Sequence, residues 1–327
     1  MIADLHCDLL SYLAQDEKRS PCNGEVRCSL PQLKKGNVIY QTLAIFTETG
    51  PHSVVSAEKQ FSLFSTLPQL YRDELTHLTE LKIAEFNGHV QIAAAIENAS
   101  GLCSETEPLE NCFDRFDQYR KIAGPIVYIS LTWNHENRFG GGNLSPVGLK
   151  RDGELLLDYL DGKGIAIDLS HTSDALASAI FSYIDKKGLR LIPIASHSNF
   201  RAISNHPRNL SDEIAREILR RGGVIGLNFF KPFIGNNCPT DFMRQVDHAR
   251  SLGALDQYCM GADFFYDGAL SSSLAIYPYP FYYEPFGNAG CYLDLINYLT
   301  EGFTLQEIEK IAYSNLTHFF ERIRCKS

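Results

Sequence analysis

The chain has 327 residues, 44% hydrophobic and 21% charged, an ordinary globular balance and a length that a large barrel can use as one domain. A formal charge of −9, with acidic and basic residues mixed along the sequence, leaves no basic face for nucleic acid. Nine cysteines, an odd number with no CxxC spacing, argue against a zinc ribbon or a disulfide framework and fit reduced thiols.

The N-terminus, MIADLHCDLL, has no basic segment ahead of an apolar core and no small-residue cleavage site. No apolar run approaches the roughly 20 residues of a membrane helix, and the C-terminal ERIRCKS is charged. A cytoplasmic protein without a membrane partner is expected.

Short apolar runs rich in β-branched residues predict strands over 2–8, 38–46, 90–97, 125–132, 164–170, 191–197, 223–229 and 258–263. Amphipathic stretches between them predict helices over 56–86, 151–162, 173–187, 211–221 and 240–252, with helix caps at Ser173 and Ser211. VIYQTLAIF and GIAIDLS are apolar nearly throughout, as strands buried on both faces must be. Eight strands alternating with helices predict an α/β fold of the (β/α)8 type, one domain over 1–327 that ends in extra helices after 288. The irregular segments 17–29, 139–147 and 277–287 follow strands, which places them at the C-terminal mouth of such a barrel.

Five of the runs end on metal-binding side chains. In a strand, residues i and i+2 share a face about 6–7 Å apart, so His6 and Asp8 of DLHCD can aim at one ion. Taken alone, the pair reads more readily as a core histidine beside a capping aspartate. Glu97 closes a run with no other charge, and a buried carboxylate there needs a cation or a hydrogen-bonding partner. Its two oxygens can bridge two metals about 3.5–4 Å apart. His171 of IDLSH and His197 of IPIASH each end an apolar strand where the chain turns. With His6, Asp8 and Glu97 they supply three imidazoles and two carboxylates, enough for two ions with an open position. Asp263, ending CMGAD, is placed for a general base, or is a turn residue.

The order H-x-D, Glu, D-L-S-H, S-H-S and G-x-D-F before D-G resembles the renal or membrane dipeptidases, the zinc peptidase family M19 with many bacterial members. DLSHTS at 168–173, SHSNFRAISNHPRNLSDE at 196–213 and GGVIGLNF at 222–229 carry the resemblance, which spans nearly the whole chain. It implies two zinc ions, one on His6 and Asp8, the other on His171 and His197, with Glu97 as the bridge. It implies hydrolysis of small unblocked dipeptides by a metal-bridging hydroxide, with Asp263 moving the proton and a D-residue tolerated at the C-terminal side. Arg208 in NHPRN matches the arginine that grips the substrate carboxylate. The resemblance also implies that a homodimer can form, although no interface is legible.

Two departures stand out. Trp133 occupies the place of the mammalian oxyanion histidine, leaving His135, two residues on, as a substitute or an ordinary loop residue; both are carried as substrate-binding candidates. GADFFYDG holds two extra residues between D-F and D-G, which leaves Asp263 in register and puts Asp267 in doubt. The aromatic segment YPYPFYYEPFG is expected either to wall the pocket or to pack as a loop or subunit contact. Two rivals remain: another metal-dependent amidohydrolase, whose barrels commonly begin H-x-H, and a catalytically silent homologue.

Overall fold

A computed structural model describes residues 1–268 and 276–325. It holds nine parallel strands: β1 Ile2–Cys7, β2 Val38–Phe46, β3 Leu75–His77, β4 Val90–Glu97, β5 Ile126–Ser130, β6 Ala166–Asp168, β7 Ile192–Ile194, β8 Ile225–Leu227 and β9 Tyr258–Met260. Hydrogen-bonded neighbours run β7-β6-β5-β4-β2-β1-β9-β8, and β3 pairs with β4 off this path. The two ends of the series meet through a bridge between Ala195 and Ile225, backed by the Ala195 amide donating to Val224 O at 3.0 Å and the Gly226 amide to Ala195 O at 2.8 Å. Eight strands thus form the nearly closed barrel expected from the alternation of strands and helices.

The predicted strands overrun the ladders at their C-terminal ends. Residues 169–171, 196–197 and 261–263 lie beyond the ladders, the first two stretches turning at 170–171 and 196–197, because a side chain that must point across the mouth cannot also keep the strict alternation of a ladder. The expected helix over 56–86 is corrected more substantially. Only Ser53–Leu70 is helical, with Pro68 in its last turn, and β3 follows within the range assigned to the helix. Pro68 has no amide to donate and favours ending the helix there. Helices Leu9–Gln15, Leu30–Lys35 and Glu110–Ala123 are additional to those predicted. Ser173 and Ser211 cap as expected, their side chains accepting from the amides of Leu176 and Ile214.

The C-terminal region forms helices Tyr292–Leu299 and Leu305–Glu309, the latter continuing through a π-turn at Lys310–Ser314 into Asn315–Arg324. Phe319, Phe320 and Ile323 of the last helix join an apolar cluster with Ala3, Ala93 and Val224 of the strand region.

One buried carboxylate fixes the strand that starts the site. Asp4 Oδ1 accepts from the His6 amide at 2.9 Å and Gln41 Nε2 at 2.8 Å, while Oδ2 accepts from the Ala262 amide at 3.0 Å and the Tyr292 hydroxyl at 2.6 Å. Burial raises its pKa and these donors oppose the rise. Asp4 thereby ties β1 to β2, to the end of β9 and to the C-terminal helices. Asp4→Ala would strand these donors, each costing about 1–3 kcal/mol when buried without a partner. We expect the metal-free protein to lose at least about 3 kcal/mol in urea unfolding, and a loss below about 1 kcal/mol would contradict this role.

Candidate metal centre

Six side chains from five barrel strands and the segments that follow them converge at the mouth. Glu97, at the end of the wholly buried β4, lies at their centre. Its Oε2 is 3.3 Å from His6 Nε2, and its Oε1 is 2.9 Å from His171 Nε2 and 3.7 Å from His197 Nε2. His6 Nε2 is 3.6 Å from Asp8 Oδ2 and 3.6 Å from Asp263 Oδ1. Three sets, His6-Asp8-Glu97, Glu97-His171-His197 and His6-His197-Asp263, each offer ligand atoms within 4.8 Å of one another. Glu97 belongs to two of them, one through each oxygen.

Hydrogen bonds on the far side of each imidazole decide what faces inward. The Tyr128 hydroxyl donates to Leu5 O at 3.2 Å, so at 2.6 Å it accepts from His6 Nδ1–H. Ser196 Oγ donates to Asp168 Oδ2 at 2.6 Å and accepts from His197 Nδ1–H at 2.7 Å. Asn134 Oδ1 accepts from His171 Nδ1–H at 2.9 Å. With Nδ1 protonated in each ring, the neutral imidazoles turn three Nε2 lone pairs toward Glu97. Two of them, on His171 and His197, are only 3.0 Å apart. Lone pairs do not face each other at that distance without positive charge between them. His6 Nε2 and Asp8 Oδ1 are moreover buried without hydrogen-bond partners. Nitrogen and carboxylate oxygen together are a donor set suited to zinc, so the residues fit a divalent metal.

The proton affinities express the same demand. Burial opposes a charged Glu97, but the His6 and His171 imidazoles outweigh it and hold its pKa below the carboxylate range. Burial and the Arg208 charge push His171 down to about 3, and burial, His6 and Arg208 push His197 well below its ordinary value. His6 moves the other way: burial opposes its proton, but the Tyr128 hydroxyl and Glu97 favour it strongly. Asp263 is raised to about 8 by burial, with Asp8 and Glu97 adding to the rise against His6 and Arg208. Without a cation, protons on His6 and Asp263 meet part of the charge that the cluster requires.

Asp263 sits in the left-handed backbone region at φ +62°, its amide donating to His6 O at 3.2 Å and its Oδ2 accepting from Asn228 Nδ2 at 2.8 Å. Such a conformation costs a non-glycine residue energy and persists where its surroundings enforce it. Arg208 is 3% exposed; Nη1 donates to Ser198 Oγ at 2.8 Å, Nη2 donates to His197 O at 3.1 Å, and Nε has no partner. Among the described residues no carboxylate stands within ion-pair distance of it.

Of the two candidates after β5, Trp133 lines the pocket, its ring 4.9 Å from Phe46 and 5.9 Å from His171. His135 is exposed and is not brought to the site; its carbonyl accepts from the Gly142 amide at 3.2 Å. Between them, Asn134 enters the pocket and orients His171. Gly142 is required behind this turn, since a Cβ there would collide with Trp133 O and the Asn134 backbone. Asp267, left in doubt by the longer loop, pairs with Arg27 at 2.6 Å. The 277–287 segment divides: Tyr277 lines the pocket, whereas Phe281, Tyr282 and Phe286 are buried in the core.

Sequence reasoning missed Asn134, Tyr128 and Asn228, whose roles depend on contacts distant in sequence. Asp4, Asp168 and Ser196 carried a signal, each being a polar residue one to three positions before a ligand in an apolar run.

The sequence model of the membrane dipeptidases (peptidase family M19) matches residues 1–325. The chain belongs to this family. A dipeptidase of Clonostachys rogersoniana is 29% identical over 152 residues, covering 44% of this chain and 37% of its own. An uncharacterized dipeptidase of Schizosaccharomyces pombe is 25% identical over 249 residues, 71% of this chain and 55% of its own. The chain therefore spans about a third to a half of these relatives' lengths. A metallo peptidase of Rhodobacter sphaeroides, solved with a phosphinate mimic of the dipeptide L-Ala-D-Ala, shares the fold with a TM-score of 0.81 at 18% identity, covering 98% of this chain and 99% of its own.

Removing a partner that fixes a ligand's tautomer typically weakens metal binding about 10- to 100-fold. Asn134→Ala is expected to do so in a chelator competition while leaving the circular dichroism spectrum unchanged. Unchanged affinity would show that His171 needs no such support.

Proposed function

We propose that the chain is a metal-dependent dipeptidase that holds two zinc ions and cleaves small unblocked dipeptides. The observation that carries this reading is the division of Glu97, one oxygen toward His6 and the other toward His171 and His197. His6 and Asp8 would hold one ion, His171 and His197 the second, and Glu97 both. Such ions, when bound, polarise a carbonyl and make water nucleophilic near neutral pH.

The chain's own groups supply the rest. Asp263 borders the same cluster and accepts the proton of the attacking water, then delivers it to the leaving amine. Asn228 keeps one of its oxygens occupied, which leaves Oδ1, 3.6 Å from His6 Nε2, for proton transfer. Arg208, a buried cation without a carboxylate partner, binds the substrate's terminal carboxylate as a planar fork. The mimic of L-Ala-D-Ala bound by the Rhodobacter sphaeroides protein supports acceptance of a D-residue at the C-terminal side.

The test is a panel of L-L and L-D dipeptides offered to zinc-loaded protein. Turnover is expected, and none at all with two ions confirmed bound would sink the proposal. Asp263→Asn should lower kcat about 10²- to 10⁴-fold with metal content retained. Arg208→Ala should raise KM for dipeptides and abolish the preference for a free carboxylate over the corresponding amide; an undiminished preference would remove Arg208 from the carboxylate site.

A further inference from the structure

Beyond the metal ligands, the pocket is walled by aromatic rings. Phe46 and Trp133 meet edge to face on one side. On the other, Phe230 is surrounded by Phe233 at 4.8 Å, Tyr277 at 5.4 Å and Phe265 at 5.6 Å between ring centres. Phe265 and Tyr266 are the extra residues between D-F and D-G, and both line the pocket.

Their setting is firm. Phe264 before them is 1% exposed, the Phe265 amide donates to the Tyr282 hydroxyl at 3.3 Å, and Asp267 after them is paired with Arg27 at 2.6 Å. The Tyr266 ring and that of Tyr12 enclose the Arg19 guanidinium at 4.4 and 4.5 Å. A wall held in this way need not be ordered by the substrate, so less of the binding energy is lost to ordering it.

Charge in the pocket is one-sided. Among the described residues no lysine or arginine lines it; the carboxylates Asp8, Glu97 and Asp263 and the neutral His171 belong to the metal centre, and Ser11, Gln15 and Asn134 are neutral. Arg208 lies over the Phe233 ring, its Cζ 5.5 Å from the ring centre, and in the reading above is taken up by the terminal carboxylate. Phe233 packs against Phe230, and Phe230 against Phe265, so these rings form the apolar surface next to Arg208 that a residue held there by its carboxylate would meet. An acidic side chain in that place would be desolvated with no cation to meet it. A large apolar one would displace water from the rings.

Resting on the dipeptidase reading above, we infer that this enzyme selects dipeptides whose C-terminal residue has a large apolar side chain, aromatic above all, and discriminates against acidic ones.

The experiment compares kcat/KM of the zinc-loaded full chain for L-Ala-Xaa, with Xaa phenylalanine, leucine, alanine or glutamate, each as both epimers. For the better epimer, phenylalanine and leucine should exceed alanine and glutamate by at least about tenfold. Phe265→Ala should reduce the phenylalanine-to-alanine ratio about tenfold with zinc content unchanged, and Tyr277→Ala, on a separate segment, should reduce it as well. Equal or better turnover of alanine or glutamate would overturn the selectivity and leave the dipeptidase reading standing. So would a ratio that survives both substitutions. No turnover of any member would remove both.

Discussion

The site depends on a concentration of buried electron pairs that cannot exist without positive charge. Three imidazole nitrogens and the oxygens of Asp8, Glu97 and Asp263 face one small volume from which water is largely excluded. In such surroundings an uncompensated anion is far more costly than at the surface. The hydroxyl, amide and carboxylate groups behind the imidazoles prevent the rings from rotating away. Tyr128, Ser196 with Asp168, and Asn134 hold each Nδ1 proton outward, so the lone pairs have no alternative direction. The protein expends stability here to obtain affinity for a cation.

The barrel and the residues that cluster at its mouth were legible because both follow from local rules. A strand buried on both faces is a continuous apolar run, and a ligand at its end interrupts that run. His6, Glu97, His171 and His197 could therefore be located, as could Asp263, without knowing how the strands are ordered. What escaped was set by the third dimension. Tyr128 reaches His6 across 122 positions, and nothing in IVYIS distinguishes its hydroxyl from that of any core tyrosine. Asn134 escaped because its contact with His171, 37 positions away, leaves no mark on the local pattern. A neutral amide proved to be the residue turned inward, while His135 faces solvent. The helix expected over 56–86 failed for the opposite reason, a polar and apolar pattern extended past Pro68.

The mouth divides its tasks by polarity. The carboxylates and imidazoles lie deep, at the ends of β1, β4 and β9 and in the turns after β6 and β7. Apart from Phe46 at the end of β2 and Phe233 in the short helix Lys231–Ile234, the aromatic residues stand on loops, where sequence can change without disturbing the strands. The longer loop after Asp263 is an example: the strand position is kept and the added residues extend outward into the wall. Selectivity and chemistry can therefore vary separately in this scaffold.

The ring closes at a narrow seam between β7 and β8, where the ladder is reduced to the bridge at Ala195 and Ile225. His197 lies two residues beyond that bridge, and its partners in the cluster come from β1, β4 and the turn after β6. An ion held there, as the proposed function has it, would brace this narrow junction of the barrel. Local opening of that seam and loss of the ion would then be coupled, and slow amide exchange at Ala195 and Gly226 would report occupancy of the centre.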